Sequence, residues 1–244
     1  MGKLTVLGSG DAFASGGKYT TSFWIEASGM NVLLDCGATA FVRMKQLGLH
    51  PADLDLIIIT HFHGDHYGGL PFVTISSKYE QPRDKPLTIV GPQGMREQLF
   101  RLQQAMYPGT EALLDELPFQ IVEFSDQWLT LDQVAVKAYP VKHSPPSNPH
   151  GVQLRWSGKT LAFSGDTEWT DTLISLAKDT ELMICECNDL EKSTPGHLSY
   201  QTIMAKQDQL KTRRLLLSHM GAEMLAAHDN QWERLQDGQV IDLW

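Results

Sequence analysis

The stretch "THFHGDHYGG" (60–69) puts His61, His63, Asp65 and His66 into six consecutive residues, directly after the apolar run "LDLIIIT". Neutral imidazoles and carboxylates are the usual ligands of a hydrolytic divalent metal, held about 2 Å from the ion. His61 and His63 alternate, so at the end of a strand both point to one side. Gly64 then lets the chain turn before Asp65 and His66. Four ionisable side chains in one tight loop are costly without a charge to organise them. One such cluster cannot close two coordination spheres, so further ligands are expected at other strand ends. His143 ends "VAVKAYPVKH", Asp166 follows "TLAFSG" and His219 ends "RRLLLSH". Taken alone, each has a plain structural reading: a hydrogen-bonded histidine or, for Asp166, a cap for a helix starting near Trp169. Their recurrence at equivalent positions favours one site over three coincidences.

The elements that must position these residues alternate between strand and helix. "KLTVLG" (3–8) reads as a strand and leads into the Gly/Ser-rich loop "SGDAFASGGKYT". "TSFWIEA" (21–27) and "MNVLLDCG" (30–37) form a hairpin across "SG". "ATAFVRMKQLG" (38–48) has helical spacing and a glycine stop. "LDLIIIT" (54–60) is a continuous β-branched run, as expected of a strand buried on both faces. A short helix over "GLPFVTISSKY", a strand at "PLTIVGP" and a helix at "QGMREQLFRLQQAM" follow. The segment 107–119 is open between a helical lid, a dimer contact and a connection. Next come strands at 119–124 and 132–143, the irregular Pro-rich loop "SPPSNPH" (144–150), and a strand pair over 151–167. A helix around 169–178, a strand at 181–186, a helix from about 199, a strand at 213–219, another helix and a last strand complete the chain. The second half repeats the pattern of the first. That fits two sheets covered on the outside by helices, in a single domain over 1–244.

The 244 residues suffice for a substantial core, and 20 Lys+Arg against 29 Asp+Glu give a net charge of −9. This balance has no general attraction for a polyanion. The longest basic run, "KTRR" (211–214), reads as a solvated helix end. No apolar run approaches the roughly 20 residues that span a bilayer, and "MGKLTVLGSG" enters a strand pattern without an apolar leader. A cytoplasmic protein with no membrane partner is expected. Cys36, Cys185 and Cys187 are odd in number and form no CxxC, so they read as buried thiols. His50, His150 and His228 fall in no motif; His50 reads as surface and His150 as structural. Tyr67 and Met220 adjoin the candidate ligands and read as pocket lining. Phe13, Tyr19 and Trp24 read as core or rim.

"HFHGDH" resembles the HxHxDH signature of the metallo-β-lactamase fold superfamily. His143, Asp166 in "SGDT" and His219 in "SH" match its remaining ligand motifs in order. Asp35 in "LLDCG" matches its first motif, a buried aspartate that supports the site without binding metal. The resemblance runs from "VLGSG" to "LLLSHM" and implies an α/β fold, a four-layer αββα sandwich with the site at one edge between the sheets. It further implies that His61, His63 and His143 hold one metal, that Asp65, His66 and His219 hold a second, and that Asp166 bridges both. A hydroxide between two divalent cations would then be the nucleophile. Zinc is the default for a His-rich N/O site, and manganese or iron also suit it.

"LTVLGSGDAF…YTTSFWIE" and "ICECN…TPGHLSY" (184–200) resemble the ribonuclease Z-like branch of phosphodiesterases. In that branch the GH(S/T) histidine assists with the phosphate or the leaving group. His197 matches it, and Glu186 is suited to orient it. Without the family, His197 reads as a residue ahead of a helix capped by Ser199. Asp65, His197 and Glu186 are therefore the candidate catalytic residues, Asp65 doubling as a ligand. Only "SPPSNPHGVQLRWSGKTLAFSG" separates His143 from Asp166, whereas tRNA-processing members carry a long arm in this general region. A small-molecule phosphodiester, cyclic or nucleotide-like, is the expected substrate, and no nucleic-acid partner is expected. A lactonase or thioesterase on the same metal centre is the first alternative, a tRNA 3′-processing endonuclease the second, and a non-catalytic metal-binding protein the last. A homodimer is the assembly that this branch suggests.

Overall fold

The structure is a computed structural model and describes residues 2–227 and 231–244; His228 lies outside them. Among the described residues, fourteen strands form two seven-stranded sheets. The first half contributes β1 (Gly2–Gly8), β2 (Ser22–Ala27), β3 (Met30–Leu34), β4 (Leu56–Ile58), β5 (Leu87–Gly91) and β6 (Phe119–Glu123). The second contributes β7 (Leu129–Leu131), β8 (Val134–Pro140), β9 (His150–Trp156), β10 (Lys159–Phe163), β11 (Leu182–Glu186), β12 (Leu215–Ser218), β13 (Glu233–Arg234) and β14 (Val240–Leu243). The sheet orders are β14-β1-β2-β3-β4-β5-β6 and β13-β12-β11-β10-β9-β8-β7. The expected repetition of pattern is present. In each sheet three antiparallel pairings are followed by three parallel ones, β3 to β6 in the first and β10 to β13 in the second. Parallel strands end on a common edge, which is how residues far apart in sequence come to share one site.

Side-chain alternation sorts the apolar residues into three cores. Leu56 and Ile58 of β4 join Val32, Leu34, Phe23, Phe163 and Ile184 in the core between the sheets. Leu54, Ile57 and Ile59 point the other way, under a helical layer. The run read as buried on both faces is thus buried on both faces. That helical layer holds α1 (Ala40–Gln46), α2 (Gly64–Tyr67), α3 (Leu70–Tyr79), α4 (Met95–Met106) and α5 (Leu113–Glu116). In α4 the residues Met95, Leu99 and Gln103 form a buried stripe at i, i+4, i+8, and the opposite face is charged. The third core lies outside the second sheet, beneath α6 (Thr172–Ala177), α7 (Tyr200–Lys206) and α8 (Ala222–Ala226). The layers are therefore helix, sheet, sheet, helix. The Ser199 hydroxyl caps α7 by accepting from Thr202 N–H.

Three details differ from the sequence reading. The strand 132–143 stops at Pro140, and His143 lies beyond its end in a bend. The short strands β7 and β13 add an edge each to the second sheet. The segment 107–119 contains the short helix α5, with Leu113, Leu114 and Leu117 buried. No helix among the described residues is long and apolar enough to cross a membrane.

Phe23 and Phe163, one from each sheet, meet edge to face with centroids 5.5 Å apart. Phe163→Ala empties a fully buried position there. The expected loss in unfolding free energy is about 3–5 kcal/mol, read from urea denaturation; a loss within error of zero would mean that the two sheets do not pack on this pair.

Candidate metal centre

The site forms where β3, β4, β10, β11 and β12 end. Asp35 follows β3, Thr60 and His61 follow β4, Asp166 follows β10, Glu186 closes β11 and His219 follows β12. Asp35 and His219 both take left-handed backbone angles, φ 58° and 54°, so the chain kinks as each strand stops. Between His61 and His66 the chain enters α2, with His63 at its N-terminal boundary. Gly64 is not among the glycines with positive φ, and a Cβ on it would meet nothing within 4 Å. The glycine that this turn needs is Gly37, where a Cβ would fall 1.9 Å from the Asp65 carbonyl oxygen.

Two groups of ligand atoms converge. His61 Nε2 lies 3.2 Å from His63 Nδ1, and His143 Nε2 lies 3.0 Å from the same atom. With Asp166 they make the first group, and Asp65, His66, His219 and again Asp166 make the second. The shared atom is Asp166 Oδ2. It stands 3.7 Å from His61 Nε2 and 3.9 Å from His143 Nε2 on one side. On the other side it is 3.3 Å from His66 Nε2 and 3.2 Å from His219 Nε2. Asp65 Oδ2 closes the second group, 3.1 Å from His66 Nε2 and 3.4 Å from His219 Nε2. All seven expected ligands are therefore brought together. The buried atoms His66 Nε2 and Asp166 Oδ1 have no hydrogen-bond partner. The donors are all nitrogen and oxygen, so the residues present fit a divalent cation of the zinc, manganese or iron kind.

The far nitrogens of the rings are held by the protein. His66 Nδ1 donates to Asp35 Oδ2 at 2.7 Å, and that carboxylate also accepts from Thr60 N–H and Thr60 Oγ1, each at 2.8 Å. His61 Nδ1 reaches Thr60 Oγ1 at 3.0 Å, and His143 Nδ1 donates to the Gly196 carbonyl at 2.7 Å. These bonds fix tautomers that turn Nε2 of each ring toward the cluster. Asp35 thus stands behind the ligands. Gly196 has φ 88°, and a Cβ on it would lie 2.7 Å from His143 Nδ1, so the glycine of "PGHLS" is what lets its carbonyl reach that ring. Glu168 secures the loop by accepting from Gly196 N–H at 2.9 Å.

Electrostatics divide the histidines. Burial lowers the pKa of His61, His63 and His143, keeping lone pairs free for a cation. Burial also disfavours charge on His66 and His219, but Asp166 and Asp65 outweigh it. They hold His66 well above the ordinary imidazole value and push His219 up to about 9. Burial alone would raise Asp166, yet His219 and His66 hold it well below the usual carboxylate range.

Glu186 and His197 sit beside this cluster. The buried Glu186 carboxylate accepts from Thr167 N–H and Leu198 N–H and faces His197 Nδ1 at 3.2 and 3.3 Å. The His197 ring stacks on His219 at 5.4 Å and meets the His143 ring edge-on at 4.8 Å. Burial lowers the His197 pKa, but the hydrogen bond and charge of Glu186 leave it raised overall. A cavity of about 300 Å³ opens over both groups, lined by Asp11, Phe13, His63, Asn188, Thr194 and His197 among others. That volume is at the lower end of small-molecule sites.

Other expectations resolve as follows. Tyr67 packs on Phe62 and Met220 is core, so neither lines the cavity. Trp24 is core, and Tyr19 bonds Gln46 at the surface. His150 is held by the Asn148 carbonyl and Phe124. All three cysteines are buried free thiols, and burial pushes their pKa values up. Thr60, Gly196, Glu168, Asp11 and Asn188 join the site without a signal in the sequence. Thr60 precedes the histidine cluster and Gly196 precedes His197, but neither residue type is a ligand signal.

Comparison with known proteins agrees with this geometry. The family model described as anti-Pycsar protein Apyc1 matches residues 2–240. The anti-Pycsar protein Apyc1 of Saccharibacillus brassicae is 24% identical over 248 residues, 98% of this chain and 99% of that protein. The ribonuclease Z of Agathobacter rectalis is 29% identical over 160 residues, 64% of this chain. The match spans only 50% of that curated relative's length. The crystal structure of the metallo-β-lactamase fold protein YhfI from Bacillus subtilis superposes with a TM-score of 0.77 at 20% identity, covering 99% of this chain and 100% of that one. The fold is thus the metallo-β-lactamase fold.

Two outcomes are expected. Asp35→Asn leaves His66 and Thr60 competing for one acceptor oxygen, so metal affinity should fall about 10–100-fold, read as metal retained after dialysis against graded chelator; unchanged retention would remove Asp35 from the supporting role. Pushed up to about 9, the His219 pKa favours the imidazolium, protonated on both ring nitrogens, below that pH. A cation needs its lone pair, so uptake displaces a proton and affinity falls as pH falls. Zinc titration calorimetry in buffers of differing ionisation enthalpy should show proton release well below pH 9 that decreases above it by the His219 share, the share of the likewise raised His66 persisting.

Proposed function

This chain belongs to the anti-Pycsar protein Apyc1 family, and from that premise we propose that it is a dinuclear metal-dependent phosphodiesterase acting on a small phosphodiester of the cyclic-nucleotide type. Its relatives are metallo-hydrolases and it is a hydrolytic enzyme; the substrate class is our reading. The observation that carries it is the Glu186–His197 pair set against the ligand cluster. In this reading His61, His63, His143 and Asp166 hold one cation, and Asp65, His66, His219 and Asp166 hold the other. Bound there, two divalent cations, zinc by default with manganese or iron as the other candidates, would lower the pKa of water and offset the charge of the phosphoryl oxygens.

The chain's own residues supply the rest. A phosphodiester needs its leaving oxygen protonated. His197 is partly exposed to the cavity. Glu186 fixes its Nδ1 side, which leaves Nε2 to carry the proton. The raised pKa of His197 favours the protonated ring that a general acid requires. A lactone or thioester would use the same cluster without calling on His197. A tRNA substrate would meet a chain of net charge −9, which counts against strong phosphate-backbone binding.

The test is hydrolysis of bis(p-nitrophenyl) phosphate by zinc- and manganese-loaded protein, with a lactone and a thioester alongside. With a cyclic nucleoside monophosphate, whose leaving alkoxide does need a proton, His197→Ala should cut turnover about 10²–10⁴-fold with metal content unchanged, and bis(p-nitrophenyl) phosphate should be less affected. An inert diester, with lactone or thioester cleaved regardless of His197, would sink the phosphodiesterase reading.

A further inference from the structure

Phe13 is 87% exposed, more than any other large hydrophobic side chain among the described residues. It does not lie on a bare outer face. It lines the same cavity as His63, Asp65, Asp166, His197 and His219. Of the other lining residues, only Ala12 and Pro195 are apolar, so Phe13 is the one large apolar surface that a ligand held at the cluster would meet.

The loop that carries Phe13 is ordered without help from the ring. Asp11, itself buried, accepts from Phe13 N–H at 3.1 Å, from Ser15 N–H at 2.9 Å and from Ser15 Oγ at 2.7 Å. Asp237 ties the loop's two ends together, accepting from Ser9 N–H at 2.9 Å and Tyr19 N–H at 3.0 Å. A Cβ on Gly16 would lie 3.0 Å from Leu225 Cδ1, so the underside of the loop rests on α8. Folding thus fixes the backbone of the loop and leaves the phenyl ring in water. Exposed aromatic surface at the mouth of an otherwise polar cavity is the arrangement of a ligand contact.

We propose that Phe13 is the stacking platform for the nucleobase of the substrate, an inference that rests on the phosphodiesterase reading above. The cluster would hold the phosphodiester and Phe13 the base. Every base presents a π-face, so such a platform selects for the presence of a base and tolerates its identity. Loss of one base–aromatic stack weakens binding by roughly five- to a hundredfold.

The experiment compares a cyclic nucleoside monophosphate with its base-free ribose cyclic phosphate, in the metal-loaded enzyme and in Phe13→Ala and Phe13→Trp. The ratio of kcat/KM for the two substrates should fall by about five- to a hundredfold in Phe13→Ala. The loss should lie in KM, and Phe13→Trp should restore the ratio. Calorimetric binding of the cyclic phosphorothioate analogue should weaken by the same factor. Because the ring is exposed, Tm should not move, which separates a lost contact from a damaged fold. An unchanged ratio, with bis(p-nitrophenyl) phosphate still cleaved, overturns the platform and leaves the phosphodiesterase reading standing. An enzyme that cleaves no diester at all overturns both.

Discussion

A single carboxylate oxygen, Asp166 Oδ2, lies within 4 Å of imidazole nitrogens from His61, His66, His143 and His219. Burying that much ionisable chemistry at one point is unfavourable unless charges offset one another. Within the chain itself the offset sets Asp166 and Asp65 against His66 and His219, whose protonated forms those carboxylates favour. A cation can do the same work, because Asp35 and the Gly196 carbonyl engage the far nitrogens of His66 and His143 and leave Nε2 of each facing the cluster. The surrounding structure follows from that requirement. Asp35, Thr60 and the Gly196 carbonyl hold the far sides of three rings, and the strand ends that carry them cannot drift without leaving a charge unpaired.

The fold meets the requirement through its symmetry of pattern. Each sheet has an antiparallel half and a parallel half, and the parallel halves deliver their C-terminal ends to one edge. Three cores, one between the sheets and one under each helical layer, keep those ends still. Left-handed backbone at Asp35 and His219 costs of order 1–3 kcal/mol each. It persists because packing on either side over-determines it.

The ligands were legible in the sequence because each announces itself locally: a histidine or aspartate just past an apolar run. Histidines 61, 63 and 66 need only the strand before them to be placed. His143 was legible as a residue but not in its setting, since Pro140 ends β8 early and the ring is fixed by Gly196, far along the chain. Gly64 looked like the residue that permits the turn, but the crowding is at Gly37, across a contact that no local pattern contains. The strand β14 could be read as a strand, but not as the neighbour of β1, because pairing between the first and last strands leaves no mark on either. Glu168 and Asp11 fix their loops by accepting from the backbone N–H groups of Gly196, Phe13 and Ser15, contacts that sequence does not display.

The loops at the cavity mouth are braced from within. Asp11 satisfies the turn that carries Phe13, and Asp189 accepts from Thr194 N–H and from the Asn188 and Thr194 side chains in the loop opposite. Neither aspartate touches a ligand residue in these bonds. The two loops differ in one respect: the opposite loop also carries Gly196 and His197, which meet the cluster, whereas the bonds of the Asp11 turn stay within residues 11–15. Changes confined to the Phe13 turn share no hydrogen-bond partner with the cluster, so their energetic effects should add to those of the ligands. In evolutionary terms that turn is a module, where drift can rewrite what the cavity admits while the chemistry on its floor is passed on intact.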